Sequence, residues 1–513
     1  MPESPPPLAI HYHERTKYDP LKIASQKKQL DWENQPIPYK EYKIGNPIDL
    51  KPYLSSFDNQ ARDRGKNSTE GARLSELLYF SYGLTAKFET RFGSPLYLRA
   101  APSAGGLYPA EVYLVSRGTN LLPPGLYSYQ PQTHSLIHFW ADNIWSDLQE
   151  GCFRHPALES ASLAITTTAV FYRSAWRYED RAYRRIFLDT GHLLGNIELA
   201  CALNNYRPHL ISGFRDQALN QLLYIDADYE GAITVIPLED LNLPHQGISH
   251  GTTALASRIQ TEYPQVVDGE LLTLLHKATE INQPPQADFT DKLDQEQALT
   301  DKYNFPFCLK VSTKTEPIHW GENLSDLADS LIKRRSTREY TGAEITKSQL
   351  LAILNFTYQP HDYSDQGLDS APDYFALDWL ETFVAVSGVT DLEEGCYYYA
   401  PKEQELRQIR FRNFRQELYY LCLKQNLGRD AAAVVFHTAD LRRAIAHWGD
   451  RVYRYLHMDA GHLGQKLNLA AIHLGLGVSG IGGFFDDQVN ELLGIPHDEA
   501  VIYITTLGFP RQW

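Results

Sequence analysis

The sequence predicts an α+β protein built from two copies of one domain, on the basis of three observations. Residues 180–223 recur at 450–493 with 17 identities in 44 positions and no gap. Each copy combines helical periodicity with short strands. A polar stretch, residues 241–310, lies between the copies and has the composition of a linker. A period this long indicates a duplicated domain rather than a solenoid.

Length and charge narrow the class of protein. The 513 residues are about three times the ~150 residues expected of one domain, and 43% of them are hydrophobic. A net charge of −15 argues against nucleic-acid and anionic-membrane partners. Five scattered cysteines without a CxxC pair argue against a disulfide scaffold and a zinc site, and favour the cytoplasm. We expect no membrane span, secretory signal or metal site.

The elements follow in order along the chain. A Pro- and Tyr-rich extension occupies residues 1–67, and a capped helix is expected from about residue 68. The first domain, 68–240, continues with the expected strand Glu111–Ser116, a hairpin over 125–139, a strand at 163–171 and a long buried helix at 181–206. The linker, 241–310, contains one expected helix near 269–281. The second domain spans 311–513.

Two segments have the composition of ligand-binding sites. Arg334 to Arg338 (RRSTR) lies between two helical patterns, and its guanidinium groups suit a phosphate. The alternative is a solvated basic corner. The small-residue loop Pro102 to Gly106 would let backbone NH groups approach a ligand, although a plain connecting turn has the same composition.

The two copies differ at these segments. The first has ARDRGKNSTEGAR where the second has RRSTR, and the second has SAPDYFALDW where the first has the PSAGG loop. Each copy therefore lacks what the other retains, and the sequence predicts one composite site that needs both.

Several motifs in order carry a resemblance to a known family. RRSTREY, GIGGFFD and YITTLGFPR resemble the flavin-binding nitroreductase superfamily, and the opening HYHERTKY resembles its SagB-type azoline dehydrogenase branch. Among these the chain looks most like the two-domain cyanobactin thiazoline oxidases. The resemblance implies two nitroreductase-like domains, each an antiparallel or mixed sheet flanked by helices, paired within the chain as a pseudo-dimer. Exchange of halves between two chains, and hence a homodimer, is left open.

The resemblance also implies which residues hold FMN. The second domain would supply Arg334, Arg335, Ser336, Arg338 and Arg511 at the phosphate end, and Gly482 and Gly483 near flavin N5. The first domain would supply Arg99, Pro102, Ser103, Ala104 and Gly105. The alternative for the two second-domain glycines is a helix C-terminal turn.

A catalytic pair is implied at the family's Lys-Tyr position, where this chain has Arg177-Tyr178, with His447-Trp448 in the other copy. Arg177 cannot act as a base, because it stays protonated. We expect its charge to lower the pKa of Tyr178 and to favour a phenolate base, with Arg177 as electrostatic helper. The alternative is that both are packing groups. His192 and His462 match across the repeat, and we expect them to be structural.

The expected activity is FMN-dependent oxidation of thiazoline or oxazoline rings in a heterocyclised, ribosomally made peptide, with dioxygen as electron acceptor. The N-terminal extension is a candidate peptide-docking segment. Two alternatives remain: a nicotinamide-driven nitroreductase or quinone reductase, and a flavin-free peptide-binding scaffold.

Overall fold

The computed structural model describes residues 5–25, 30–54, 69–89, 95–243, 253–283 and 302–511. It contains two halves of the same architecture, preceded by an extension and joined by a linker. The extension and first half comprise α1 Leu8–Arg15, α2 Pro20–Ser25, β1 Asn46–Asp49, α3 Glu70–Tyr82, β2 Leu84–Glu89, β3 Pro95–Arg99, β4 Ala110–Ser116, β5 Gly125–Gln130, β6 Ser135–Trp140, α4 Trp145–Gly151, α5 Ala157–Ser160, β7 Leu163–Val170, α6 Phe171–Tyr178, α7 Ala182–Leu203, β8 Tyr206–Pro208, α8 Asp216–Leu222 and β9 Glu230–Asp240.

The linker contains α9 Leu271–Ala278, within the stretch where the sequence predicts a helix. The second half comprises β10 Lys310–Ser312, α10 Ser325–Lys333, β11 Ile345–Thr346, α11 Lys347–Tyr358, β12 Glu381–Val386, β13 Val389–Thr390, β14 Gly395–Ala400, β15 Glu405–Arg410, α12 Arg415–Leu421, α13 Asn426–Asp430, β16 Ala433–Asp440, α14 Leu441–Trp448, α15 Val452–His473, β17 Gly477–Ile481, α16 Asp486–Leu493 and β18 Glu499–Gly508.

Each half is built on a seven-stranded antiparallel sheet, and the two sheets have the same strand order. The first runs β1-β6-β5-β4-β7-β9-β8 and the second runs β10-β15-β14-β12-β16-β18-β17. The pair β2-β3 is antiparallel and the short pair β11-β13 is parallel. The α+β fold with two like domains is therefore confirmed. The outermost strand β1 comes from the N-terminal extension, so this part of the extension belongs structurally to the first sheet.

Local sequence accounts for where the helices start. Thr69 caps α3 by accepting a hydrogen bond from the Ala72 amide, as its Ser/Thr-rich start predicts. Thr346 and Gln349 form a reciprocal capping box at α11. These caps satisfy amides that would otherwise have no partner at the helix ends.

Alternation along the strands distributes the hydrophobic residues between two layers. In β16, Val435 belongs to a large cluster shared by both halves, whereas Val434 and Phe436 belong to a smaller cluster on the outer side of the second sheet. The first half has a corresponding outer cluster. The shared cluster is where the two halves are joined.

Helices α7 and α15 cross at the centre of this shared core. A Cβ atom placed on Gly191 would lie 2.1 Å from the Met458 carbonyl oxygen, and one on Gly461 would lie 2.3 Å from the Leu188 carbonyl oxygen. Glycine is therefore required at both positions for the helix backbones to approach. The stretch Phe171–Leu203 is apolar and long enough to cross a membrane, but 94% of its most apolar window is buried inside the protein, as in a core helix.

Reciprocal ion pairs tie the halves together around the same pseudo-twofold axis. Asp216 accepts from Arg451 at 2.7 Å and from Arg454 at 3.0 Å. By the same pattern, Asp486 pairs with Arg181 at 2.9 Å and Arg184 at 2.7 Å. Several residues that match across the repeat thus build the interface.

Candidate active site

The basic segment of the second half reaches into the first half. Arg334 directly follows α10, is 2% exposed, and donates from Nε to the Ala100 carbonyl at 2.6 Å and from Nη2 to the Arg99 carbonyl at 3.2 Å. Its Nη1 is buried and has no hydrogen-bond partner among the described residues. Burial lowers the pKa of Arg334 to about 10, and nearby Arg335 and Arg338 act in the same direction. A buried cation among cations favours an anionic ligand.

The other arginines of this segment differ in their contacts. Arg335 donates from Nη2 to the Thr85 carbonyl at 2.8 Å, so it fastens β2 of the first half. Arg338 is exposed, and no hydrogen bond or ion pair joins it to any described residue. Ser336 is half-buried between them. Arg338 is therefore the member of the segment whose guanidinium is free for a phosphate.

Arg511 lies beside the same segment. Its amide donates to the Glu339 carbonyl at 3.0 Å, and its Nη1 is 3.6 Å from a Glu339 carboxylate oxygen. The C-terminal strand and the basic segment are thus adjacent, as the resemblance implies.

The small-residue loop is hydrogen-bonded to the buried carboxylate of Asp189 on α7. Ser103 donates from Oγ to Asp189 Oδ2 at 2.6 Å, and the Ala104 amide donates to the same carboxylate at 3.1 Å. Gly105 directly follows Pro102 to Ala104 in the loop. Its φ is +67°, in the left-handed region that favours glycine. Burial raises the pKa of Asp189 to about 7. The loop is therefore a positioned element rather than a plain turn.

Arg99 lies next to the site, and its side chain packs against tyrosine rings. The guanidinium is fully buried, with its Cζ 4.2 Å from the centre of the Tyr82 ring and 4.7 Å from that of Tyr108. It donates to the Pro38 carbonyl. This enclosure favours packing by Arg99 behind the glycine loop, although its backbone carbonyl does contact Arg334.

Tyr178 meets the glycine loop directly. A Cβ on Gly105 would lie 2.8 Å from the Tyr178 hydroxyl and 3.4 Å from Cδ of Arg177. The expected pKa shift is wrong, however: burial raises the pKa of Tyr178, and the nearby Arg185 and Arg177 only partly offset it. Desolvation outweighs the guanidinium charge because the side chain is largely enclosed. Tyr178 is therefore a neutral phenol at the site, not a phenolate.

Two further residues complete this side of the site, Arg185 and Tyr18. The Arg185 guanidinium stacks 3.7 Å above the Tyr178 ring centre, and its Nη2 donates to the Tyr18 hydroxyl at 3.3 Å. The sequence contains a signal for Arg185, because the repeat places Tyr455 at the matching position, directly after an identical Tyr-Arg pair. Tyr18 is the last residue of the HYHERTKY segment. The resemblance of that segment to the azoline dehydrogenase branch implies no role for this residue.

Gly482 and Gly483 follow β17 and precede α16, so the alternative of a helix C-terminal turn is wrong. A Cβ on Gly482 would lie 2.4 Å from Arg185 Nη1, and one on Gly483 would lie 3.7 Å from a ring carbon of Tyr18. Within the described ranges, no acceptor takes the amide hydrogen of either glycine. These two amides, Arg185, Tyr178 and the glycine loop thus meet at one place between the halves.

The matching position on the other side of the pseudo-twofold axis is closed. Ser212 and Gly213, the counterparts of the two glycines, donate their amides to the Thr253 carbonyl at 2.9 and 3.3 Å. The linker also covers the counterpart of Tyr178, where the Trp448 carbonyl accepts from the Ser257 amide at 2.9 Å. Of the first-half segment that stands in place of RRSTR, residues 61–73, the part 61–68 lies outside the described residues.

The matched histidines are buried within the interface. His192 lies between Gln465 and Tyr503, at 2.9 and 2.8 Å, and burial lowers its pKa to about 4. His462 pairs with the Glu198 carboxylate, which also accepts from Lys466 at 2.9 Å. Both arrangements favour structural roles, as expected.

Comparison with known proteins agrees with this architecture. The model for the Nitroreductase family matches residues 72–236 and 331–509, one match in each half. A candidate nitroreductase from Anabaena variabilis has a solved structure that is 66% identical, with a TM-score of 0.91, covering 99% of this chain and 100% of that one. MJ1384 of Methanocaldococcus jannaschii, also named as a candidate nitroreductase, is 37% identical over 169 residues, 33% of this chain and 84% of that protein.

The E. coli microcin synthetase McbBCD complex with truncated pro-MccB17 overlaps 46% of this chain and 88% of its own matched chain, at 17% identity and a TM-score of 0.28. The two family matches cover more than half of the chain and coincide with the two sheets described above. The chain therefore belongs to the nitroreductase family and contains two family domains in tandem.

Proposed function

We propose that the single open site between the halves binds FMN and oxidises azoline rings in a heterocyclised peptide. The observation that carries the FMN assignment is the contrast between the two pseudo-symmetric positions: the Gly482 and Gly483 amides have no acceptor within the described ranges, whereas the Ser212 and Gly213 amides are both taken by the linker. A family of flavin-dependent oxidoreductases makes FMN the expected ligand of the open position.

The residues present fit that cofactor. The orphaned Nη1 of Arg334 and the free guanidinium of Arg338 suit a phosphate, and Ser336 and Arg511 lie beside them. At the other end, the Gly482 and Gly483 amides suit the polar edge of the flavin ring. Arg335 and Arg99 would support these groups through Thr85 and the tyrosine rings that they contact. The loop of Pro102, Ser103, Ala104 and Gly105 would close the site from the first half.

When bound, FMN supplies a hydride acceptor. The side chains would bind and orient the peptide ring beside it. Tyr178 would donate a hydrogen bond from its neutral hydroxyl, and Arg177 would hold the α6 end against the glycine loop. The choice of an azoline ring over other substrates rests on the HYHERTKY segment, because that segment carries Tyr18 to the site. We place the reaction in the cytoplasm, with dioxygen as the final electron acceptor.

Removing the free phosphate ligand tests the cofactor assignment. We expect Arg338→Ala to weaken FMN binding roughly 10- to 150-fold, since a charge-assisted hydrogen bond contributes about 1.5–3 kcal/mol. The equally exposed Arg412→Ala, which removes a surface pair with Glu417, is the matched control and should bind FMN normally. Equal FMN dissociation constants for both variants, measured by flavin fluorescence, would refute the phosphate assignment.

A reductase is the second candidate, because the family name itself favours it. The FMN-loaded protein should therefore be offered either a heterocyclised peptide or NAD(P)H with a nitro compound. Loss of two hydrogens per ring by mass spectrometry supports azoline oxidation. Rapid NAD(P)H consumption without any change in peptide mass supports the reductase.

A further inference from the structure

We infer that Tyr18, from the N-terminal extension, is the residue that removes the substrate proton in the proposed oxidation. This inference rests on the proposed function and assigns its proton-transfer step. It is carried by the position of Tyr18, which reaches the open site from outside both domains.

The backbone around Tyr18 is fixed by the second half. Its amide donates to Asp486 Oδ2 at 3.1 Å, and Tyr18 forms a parallel bridge with Phe485, just after the Gly482–Gly483 amides. A Cβ on Gly483 would be 3.7 Å from the Tyr18 ring. The phenol therefore lies beside the amides that would face the flavin.

The hydroxyl of Tyr18 is fixed by the first half. Arg185 donates from Nη2 to it at 3.3 Å, while Nη1 of the same guanidinium faces Gly482. The Arg181 guanidinium stacks 4.2 Å from the Tyr18 ring centre. One arginine thus connects the phenol to the glycine amides.

The two tyrosines at the site differ in their electrostatic surroundings. Burial alone would raise the pKa of Tyr18, but the guanidinium groups of Arg185, Arg181 and Arg184 reverse this and lower it below the ordinary tyrosine value. Tyr178 touches Arg185 only through its ring face, and burial raises its pKa. The phenolate is therefore more accessible for Tyr18 than for Tyr178.

The reaction balances with these groups. The Cα–H bond breaks and its proton passes to the Tyr18 oxygen, while the Cβ–H bond breaks and its electron pair leaves as hydride to FMN. A double bond forms between the two carbons. Dioxygen then takes both electrons and two protons, one of them returned by Tyr18 through solvent, and leaves as hydrogen peroxide. The sum is azoline plus dioxygen giving azole plus peroxide.

The test compares Tyr18→Phe with Tyr178→Phe, two substitutions that each delete one hydroxyl and keep the ring. We expect Tyr18→Phe to retain FMN and lose at least ~100-fold in azoline oxidation, within the range for a positioned general base. Tyr178→Phe should lose much less. Near-normal turnover by FMN-loaded Tyr18→Phe would overturn the assignment.

A readout independent of turnover is the ultraviolet absorbance of tyrosinate as a function of pH. We expect one phenol of the wild-type protein to ionise below the rest, and this early step to be missing from Tyr18→Phe. Arg185→Gln should move the step to higher pH, because it removes the positive charge nearest the hydroxyl. Arg181, Arg184, Tyr178 and Asp486 also face Tyr18 and remain unchanged in that variant. An early step that persists in Tyr18→Phe would assign it to another tyrosine and overturn the inference.

Different results would overturn the proposed function and the role of Tyr18. FMN-loaded wild-type protein that oxidises no azoline but turns over NAD(P)H with a nitro compound overturns the proposed function and the proton-transfer role together. Active wild-type protein with an equally active Tyr18→Phe overturns only the role of Tyr18.

Discussion

The open site and its closed counterpart are built on the same backbone plan but end in different chemistry. On the open side Asp189 accepts from the Ser103 hydroxyl and the Ala104 amide of the glycine loop, and on the closed side Asp459 accepts from the Phe375 and Ala376 amides. The open side leaves the Gly482 amide without an acceptor among the described residues, whereas the closed side gives its counterpart, Ser212, the Thr253 carbonyl. Both copies keep the supporting aspartate, whereas the loop that it supports and the acceptor of the neighbouring amide differ.

A duplicated domain can therefore specialise without weakening its interface. The residues that match across the repeat make contacts between the halves, which both copies need. Some residues that differ line one site, as Arg185 does where the other copy has Tyr455, whereas others, such as Glu198 and Lys466, form contacts found on one side of the interface.

The largest effect is expected from the reciprocal carboxylates. Asp486→Asn and Asp216→Asn should each cost about 3–5 kcal/mol in the free energy of unfolding, because each leaves two buried arginines without their counter-charge. Only Asp486→Asn should also lower azoline turnover, since Asp486 holds the Tyr18 amide. Denaturant unfolding and turnover measure the two effects.

Asp329→Asn, on an exposed pair with Lys333, is the control and should cost no more than about 1 kcal/mol. Equal turnover by the two interface variants would show that the two sides do not differ as proposed.

Acid should weaken the interface through the closed side. His462 and Lys466 lower the pKa of Glu198 to about 2 despite its burial, against an ordinary value of 4.5. Its stabilising contribution is complete above pH 4.5 and is lost as the pH falls towards 2, by up to about 3 kcal/mol. As the pH is lowered from 4.5 to 2, the free energy of unfolding should fall more steeply for wild type than for Glu198→Gln. His192→Gln should flatten the profile only between about pH 6.5 and 4, because burial lowers the pKa of His192 to about 4, and should keep the wild-type slope closer to pH 2.

The helix crossing should be sensitive to a single methyl group. Gly191→Ala places a Cβ 2.1 Å from the Met458 carbonyl oxygen, and we expect a loss of about 1–3 kcal/mol because backbone must move. In Gly388→Ala the closest atom to the new Cβ is Nη2 of the Arg415 side chain at 2.6 Å, not backbone, and that side chain can shift, so this variant should lose less stability than Gly191→Ala. A Gly191→Ala protein as stable as Gly388→Ala would mean that α7 and α15 are not packed this closely.

The smallest effect is expected at Gly482 and at Ser212, its counterpart in the first half. Gly482→Ala crowds Arg185 Nη1, which can move, so stability should change little while FMN affinity falls about tenfold. Ser212→Ala changes the matching residue of the closed side, where Oγ bonds the Ile233 carbonyl, and should leave FMN affinity unchanged. An FMN dissociation constant that shifts in both variants would indicate that the linker does not close the second position.

The sequence predicts much of the framework and less of the site. The long helix α7, the hairpin of β5 and β6 and the cap at Thr69 agree with local periodicity and capping rules, which depend on neighbouring residues. The closing of the second position by residues 253–258 could not be predicted, because its hydrogen bonds are formed by backbone carbonyls. The predicted direction of the Tyr178 pKa shift is wrong, because the burial of this side chain depends on packing across two elements distant in sequence.

The contact between Tyr18 and Asp486 spans 468 positions of the chain, and it sets the order in which the protein can mature. During synthesis Tyr18 emerges before either domain exists, and its acceptor emerges after both sheets are nearly complete. Domains of this size generally fold as units while the chain is still being made. The segment that contains Tyr18 must therefore wait for the second domain and dock last, whereas β1 can join the first sheet earlier. A ribosome-stalled chain ending before residue 486 should have a folded first domain and an unprotected N-terminus, which limited proteolysis would detect.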